Sequence, residues 1–359
     1  MQKPRIANPV LVIVAILVAV SFFVPTTYVM VAPGTTEDLA GMVEVQNGGA
    51  EERGVFQLVT IKQRQSISVP VLLYALVHPE REVRQRVEVM PPDVDEEEYW
   101  EIVRKQMQES EEVAKIVALR QADYEVEVRG KGIEVHDIME GSPSQGVLQE
   151  GDVIREVDGV EVELANEVIS QVQEREIGET VNLKIERNGR ILEKEVSTTE
   201  HTDTPGKAAL GIYITTLGWE ADLPVDIEID AGNIGGPSAG LMFVLEILNQ
   251  LWEEDIAGGE QVAGTGAIDL EGNVTSVGGV KHKVRAAEDR EASYFLVPSG
   301  NYEEARNAAS QMEVIEVNTL EEALEALESI RAVNARGALD LWELVHPVLD
   351  KHPVLNMAL

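Results

Sequence analysis

The 359-residue sequence predicts a multidomain α/β protein, and three observations support this. An almost wholly apolar run, Pro9 to Val24, follows an N-terminus whose charges are Lys3 and Arg5. The middle of the chain is cut into short strand-like segments by Gly and Pro. Behind a polar linker at His201 to Lys207, strand-like and helix-like segments alternate to about Ile330, as in an α/β unit. The expected architecture is therefore an N-terminal transmembrane helix, a small β-rich membrane-proximal region, a compact β-rich domain and a C-terminal α+β domain.

Composition narrows the function. The chain is 44% hydrophobic, enough to build cores in two or three domains, and it carries 64 acidic against 29 basic residues. A formal charge of −35 argues against nucleic acid as a partner and against electrostatic docking on an anionic membrane. With no cysteine, disulfides, thiol catalysis and thiolate metal sites are excluded. The six histidines form no metal-ligand spacing such as HExxH, so no metal or other cofactor is expected. No Gly-x-x-x-x-Gly-Lys-Ser/Thr phosphate loop occurs anywhere in the chain.

Taken in order, residues 1–8 read as a cytoplasmic N-terminus and 9–27 as a transmembrane helix. Lys3 and Arg5 on its N-terminal side and the lack of a small-x-small cleavage site argue for an uncleaved anchor with the rest of the chain outside the cytoplasm. Residues 28–121 form the membrane-proximal region. Tyr28 to Val31, Val43 to Val45, Val55 to Ile61 and Ile67 to Val69 read as strands, and Asp93 to Gln121 as a helix with a solvated acidic face. Residues 122–200 form the compact β-rich domain and 205–332 the α+β domain, whose strands are Leu210 to Thr216, Val225 to Ile229, Gln261 to Ile268, Tyr294 to Val297 and Val314 to Val317. The 333–359 tail carries a short amphipathic helix around Leu339 to Val345.

Chemistry concentrates in Ile234-Gly235-Gly236-Pro237-Ser238-Ala239-Gly240, a small-residue turn that runs into the apolar segment Leu241 to Trp252. Ser238 then sits at a helix mouth, where unpaired N–H groups and the positive dipole end offer an oxyanion site beside a nucleophile. A bland reading exists too, since serine and proline are common at helix entries. The missing base has candidates in Gly278-Gly279-Val280-Lys281-His282-Lys283, because burial can leave a lysine neutral at working pH. His282 reads as an exposed helix residue.

Gly236-Pro237-Ser238-Ala239-Gly240, then Thr265-Gly266, then Gly278 to Lys283 resemble the serine–lysine dyad of Lon-type proteolytic domains, over roughly residues 205 to 332. The resemblance implies Ser238 as nucleophile, Lys283 rather than Lys281 as base, and Thr265 as the residue that holds the lysine. Gly235, Gly236 and Pro237 support the serine. The chain departs from the ATP-dependent members where their aspartate falls on Gly235 and where a glutamate falls on Ala267.

Tyr124 to Thr199 resembles a PDZ domain of the bacterial type, carried by Arg129-Gly130-Lys131-Gly132-Ile133-Glu134-Val135, Gly141-Ser142-Pro143-Ser144 and Gly151-Asp152-Val153-Ile154. The expected peptide-binding residues are Gly130, Lys131, Gly132, Ile133 and Val135, with loop N–H groups capturing a carboxylate and the strand pairing with the peptide. Asp152 and Asp158 read as turn residues. Together the parts resemble YlbL-like membrane-bound proteases of bacteria. That resemblance implies ATP-independent cleavage of proteins or peptides outside the cytoplasm, by a ring-forming homo-oligomer, a hexamer. The competing expectation is an inactive membrane-anchored PDZ adaptor.

Overall fold

The computed structural model describes residues 9–49, 53–90, 94–201 and 206–349. They form two compact units, one from residues 1–125 and 225–359, the other from 126–224 inserted between them.

The first unit is built on a six-stranded sheet in the order Glu313–Glu316, Tyr294–Val297, Gln261–Gly264, Val55–Arg64, Tyr28–Asp38, Glu82–Gln85. The first four are parallel neighbours, and the last two join antiparallel. Parallel strands covered on both faces read as continuous apolar runs, and Phe295, Leu296 and Val297 are all fully buried. Two of the strands expected to form a separate membrane-proximal region, at Tyr28–Asp38 and Val55–Arg64, instead lie inside this sheet, and Val43–Val45 pairs with Ile227–Ile229. Their composition explains it: Phe56 and Leu58 are buried on one face and Val59 on the other, and a detached hairpin could cover only one.

The Gly240–Leu251 helix is apolar nearly all round and every residue from Gly240 to Gln250 is buried. Beside it packs the long Glu96–Gln121 helix, capped by the Asp95 carboxylate, which accepts from the Glu97 and Glu98 N–H groups. Its acidic first turns are solvated, but from Met107 onward Ser110, Val113, Ala114, Val117 and Ala118 are buried. The segment expected as a strand at Ile67 to Val69 opens the Val69–Val77 helix, because Pro70 falls in the first turn, where its fixed φ suits a helix start. The last helix runs unbroken from Leu320 to Leu349, past the tail helix expected at Leu339 to Val345. Residues 350–359 lie outside the described residues, as does the expected cytoplasmic N-terminus at 1–8.

The expected transmembrane span is not supported. The apolar helix covers Pro9–Ser21, 13 residues, or about 20 Å of rise against a bilayer core of about 30 Å. Pro25 already bridges to Ser68, and no helix among the described residues is long and apolar enough to cross a membrane.

The second unit is a sheet in the order Arg190–Ser197, Thr180–Arg187, Val153–Val157, Ile133–Ile138, Ile212–Thr216, with the Ala165–Gln173 helix against it. Its core holds Ile133, Val135, Ile154, Val168, Leu183 and Ile185. Leu210 to Thr216, assigned from sequence to the C-terminal domain, belongs here, since Ile212 to Thr216 pair antiparallel with Ile138 to Ile133. Asp152 is fully buried and takes two 2.6 Å hydrogen bonds from Arg187, so it locks the unit as well as closing a turn.

Candidate active site

Ser238 precedes the Gly240–Leu251 helix, whose cap residue is Ala239 and whose cap uses no side chain. The hydroxyl is therefore not spent on capping. The loop reaches this position through Gly236 at φ +89°, a conformation that favours glycine.

Thr265 follows the Gln261–Gly264 strand and is fully buried. Its N–H donates to the Leu296 carbonyl at 2.9 Å, and the next residue, Gly266, donates to the Ser238 carbonyl at 3.0 Å. The strand end is thus stitched to the serine loop. Lys283 arrives from the Val280–Glu288 helix, which starts after Gly279 at φ +73°. Val280, Val284 and Ala287 pack into the core with Phe295, and at helical spacing this carries Lys283 inward while Lys281 stays exposed.

The three residues meet. Lys283 Nζ lies 2.6 Å from Ser238 Oγ and 2.8 Å from Thr265 Oγ1, and Thr265 Oγ1 donates to the Ser238 carbonyl at 2.9 Å. Because the threonine proton is committed to that carbonyl, Thr265 accepts from the amine, which leaves the lone pair of a neutral Lys283 to face the serine hydroxyl. Burial without a counter-charge lowers the Lys283 pKa to about 7, so a large fraction is neutral near pH 7. Among the described residues, no acceptor lies within hydrogen-bond reach of the Ser238 or Ala239 N–H, so both can receive an anion.

Two neighbours differ from expectation. His282 is buried, not exposed, with Nε2 3.2 Å from Glu82 Oε2, because the helix lies against Tyr28–Asp38, whose neighbour in the sheet carries Glu82. Burial lowers its pKa, which leaves it neutral at pH 7. Gly235 faces the Glu96–Gln121 helix so closely that a Cβ there would collide with Val103 Cγ1. No spacing rule connects residues 103 and 235, so sequence reasoning missed this contact.

Sequence reasoning also missed Glu246, fully buried two turns along the serine helix and bonded to Gln250, whose amide in turn serves the backbone of Val43 and Val45. Burial raises the Glu246 pKa from 4.5 to about 7. An acid raised on folding has its stability in full below the unfolded value and loses it as pH climbs through the folded one. Glu246→Gln should therefore stabilise the protein by up to about 3 kcal/mol at pH 8.5 and change little at pH 4.5, read by denaturant unfolding at both.

The expected peptide-binding residues are not on a free edge. Ile133 and Val135 are fully buried, and their strand is paired on both sides, by Val153–Val157 and by Ile212–Thr216. The Lys131 backbone N–H is taken by the Leu217 and Gly218 carbonyls, and its side chain reaches Glu220 at 3.4 Å. Gly130 and Gly132 are packed against Glu163 and Val153, where a side chain would not fit. The edges of this sheet are Arg190–Ser197 and Ile212–Thr216. A cleft of about 460 Å³ runs between the latter strand and the Ala165–Gln173 helix, lined by Val168, Val172, Leu210, Ile212 and Ile214. Gly211, at φ +68°, opens the strand. The available signal was Leu210-Gly211-Ile212-Tyr213, a glycine ahead of an alternating strand, which was read as part of the next domain.

Residues 107–198 match the family model of the PDZ domain, and residues 215–329 that of the Lon protease (S16) C-terminal proteolytic domain. The chain is 31% identical over 140 residues to Lon protease from Azospirillum brasilense, covering 38% of this chain and 17% of that protein. It is 32% identical over 113 residues to Lon protease 2 of Bacillus subtilis, covering 31% and 20% respectively. The archaeal Lon protease of Halobacterium salinarum is 29% identical over 101 residues, covering 27% and 14%. The chain thus spans a fifth or less of the length of these relatives. Among solved structures, the PDZ domain of an SdrC-like protein from Listeria monocytogenes is 24% identical, with 23% of this chain and 86% of that one covered and a TM-score of 0.22.

Proposed function

From a chain that couples a PDZ domain to a Lon-type proteolytic domain, we propose an ATP-independent serine endopeptidase that works by a Ser238–Lys283 dyad. One observation carries this reading: the Lys283 amine, buried and lowered to about 7, lies 2.6 Å from the Ser238 hydroxyl. Ser238 Oγ attacks the scissile carbonyl while Lys283 takes its proton. The lysine then returns that proton to the leaving amine and activates the water that releases the acyl group. Thr265 orients the amine, and the N–H groups of Ser238 and Ala239, without a partner among the described residues, receive the oxyanion. The absence of a Walker-type phosphate loop from the sequence supports independence from ATP.

The cleft beside Ile212–Thr216 takes an extended peptide as an added strand, with an apolar side chain over Val168 and Val172. Exposed apolar side chains on the first helix and after it, Ile16, Leu17 and Phe23 among them, support an N-terminal segment that contacts a membrane, and a protease outside the cytoplasm is part of the same reading. A homo-oligomeric ring is part of the same reading.

The test is cleavage of casein and of fluorogenic peptides by the whole chain without ATP. Wild type and Lys281→Ala should cleave, and Ser238→Ala and Lys283→Ala should not. Equal cleavage by all four would overturn the dyad, and none by any while peptides still bind the cleft would make the chain a binding scaffold.

A further inference from the structure

We propose that Ser110, in the middle of the Glu96–Gln121 helix, is a positioning residue that aims the Ser238 N–H as an oxyanion donor. The inference rests on the Ser–Lys protease reading. Ser110 is buried, and its hydroxyl donates to the Pro237 carbonyl at 3.1 Å. A serine inside a helix ordinarily bonds back to the carbonyl four residues earlier. This one reaches across to another segment, immediately before the nucleophile.

The geometry of one peptide unit turns that contact into chemistry. The Pro237 carbonyl and the Ser238 N–H belong to the same planar group, and no peptide bond among the described residues is cis. In a trans unit the two bonds point in opposite directions. Drawing the carbonyl toward the helix therefore turns the Ser238 N–H away from it, and among the described residues that N–H has no acceptor. The following peptide unit is set in the same way from the other side. There the Ser238 carbonyl is held by Thr265 Oγ1 and Gly266 N–H, and the Ala239 N–H on the same unit has no partner among the described residues. Two hydroxyls on two different elements thus fix two consecutive planes.

The helix holds the loop at further points. The Val103 carbonyl accepts from Gly236 N–H at 2.9 Å, so the turn ahead of the serine is anchored one and a half to two helical turns before Ser110. Gly240 also lies under Ser110, where a Cβ would come to 2.9 Å from Ser110 Oγ. Without Ser110 the Pro237 carbonyl retains, among the described residues, the Gly240 N–H at 3.3 Å, a weak restraint on the plane.

The experiment compares wild type, Ser110→Ala, Ser110→Thr and Ser238→Ala in the full chain, with kcat, KM, pH profile and thermal midpoint measured for each. Cleavage by wild type and none by Ser238→Ala tests the protease reading on its own. Given that, Ser110→Ala should lower kcat about 10- to 100-fold at unchanged KM, with the rise of activity near pH 7 left in place, because an oxyanion donor acts only in the transition state. Its affinity for a peptide boronic acid, whose tetrahedral adduct places an oxygen where the oxyanion forms, should drop by the same factor. Ser110→Thr, which keeps the hydroxyl, should restore both. The inference is overturned if Ser110→Ala keeps kcat within twofold of wild type. It is equally overturned if the loss follows the folded fraction alone, or if boronate affinity is unchanged while kcat falls.

Discussion

Replacing Lys283 with methionine is expected to abolish peptide cleavage and, at the same time, to make the fold more stable. Removing the base should lower kcat/KM by about 10⁴-fold, since the serine hydroxyl then has no group to take its proton. The stability gain follows from linkage. Lys283 has its pKa lowered from 10.5 to about 7 by burial, so the folded state resists a proton that the unfolded chain accepts freely. The resulting cost is absent above pH 10.5, grows as pH falls, and is complete below about 7. A shift of this size corresponds to about 5 kcal/mol at neutral pH. Methionine fills a similar volume with no charge to desolvate, so the variant should unfold at higher denaturant at pH 7, with the difference shrinking toward pH 10. Wild-type activity should rise through pH 7 and level off above it. A methionine variant less stable than wild type at pH 7 would mean that the site binds a charged lysine.

Gly235→Asp is expected to inactivate the enzyme, even though ATP-dependent Lon-type members carry aspartate at the corresponding place. In this chain the Glu96–Gln121 helix occupies the space: a Cβ at 235 collides with Val103 Cγ1, and the next residue is bonded to the Val103 carbonyl. A carboxylate would have to be forced against an apolar side chain or swing the loop off the helix. Either way Ser238 moves relative to Lys283, and a displacement near 1 Å costs about 100-fold in rate. Overpacking should lower stability by about 1–3 kcal/mol as well. Measuring kcat and unfolding midpoint in Gly235→Asp and in Gly235→Asp with Val103→Gly checks this. Relief of the collision by the second change should recover part of the rate. No recovery would show that the aspartate harms catalysis by its charge.

Some of this protein is local in sequence and some is not, and the division is physical. Three motifs lead to the serine, the threonine and the lysine because each lies at an element boundary whose signals are short-range: a glycine-rich helix entry, a strand end, and a glycine-led helix whose apolar spacing turns residue 283 inward and 281 outward. Many strands were also legible one by one, from β-branched runs between glycines, although Ile67 to Val69 opens a helix and Glu82–Gln85 was not foreseen. Partnership was not legible. The pairing of Val55–Arg64 with Gln261–Gly264 joins residues about two hundred positions apart across the inserted domain, and nothing in either strand names the other. The same blindness misassigned Ile212–Thr216, because an edge strand is defined by what pairs beside it rather than by its own residues. The burial of His282, Glu246 and Ser110 belongs to this class. Sequence determined which residues can do the chemistry; tertiary structure decided which of them are held, desolvated and aimed, since burial and hydrogen-bond partners come from packing between distant segments.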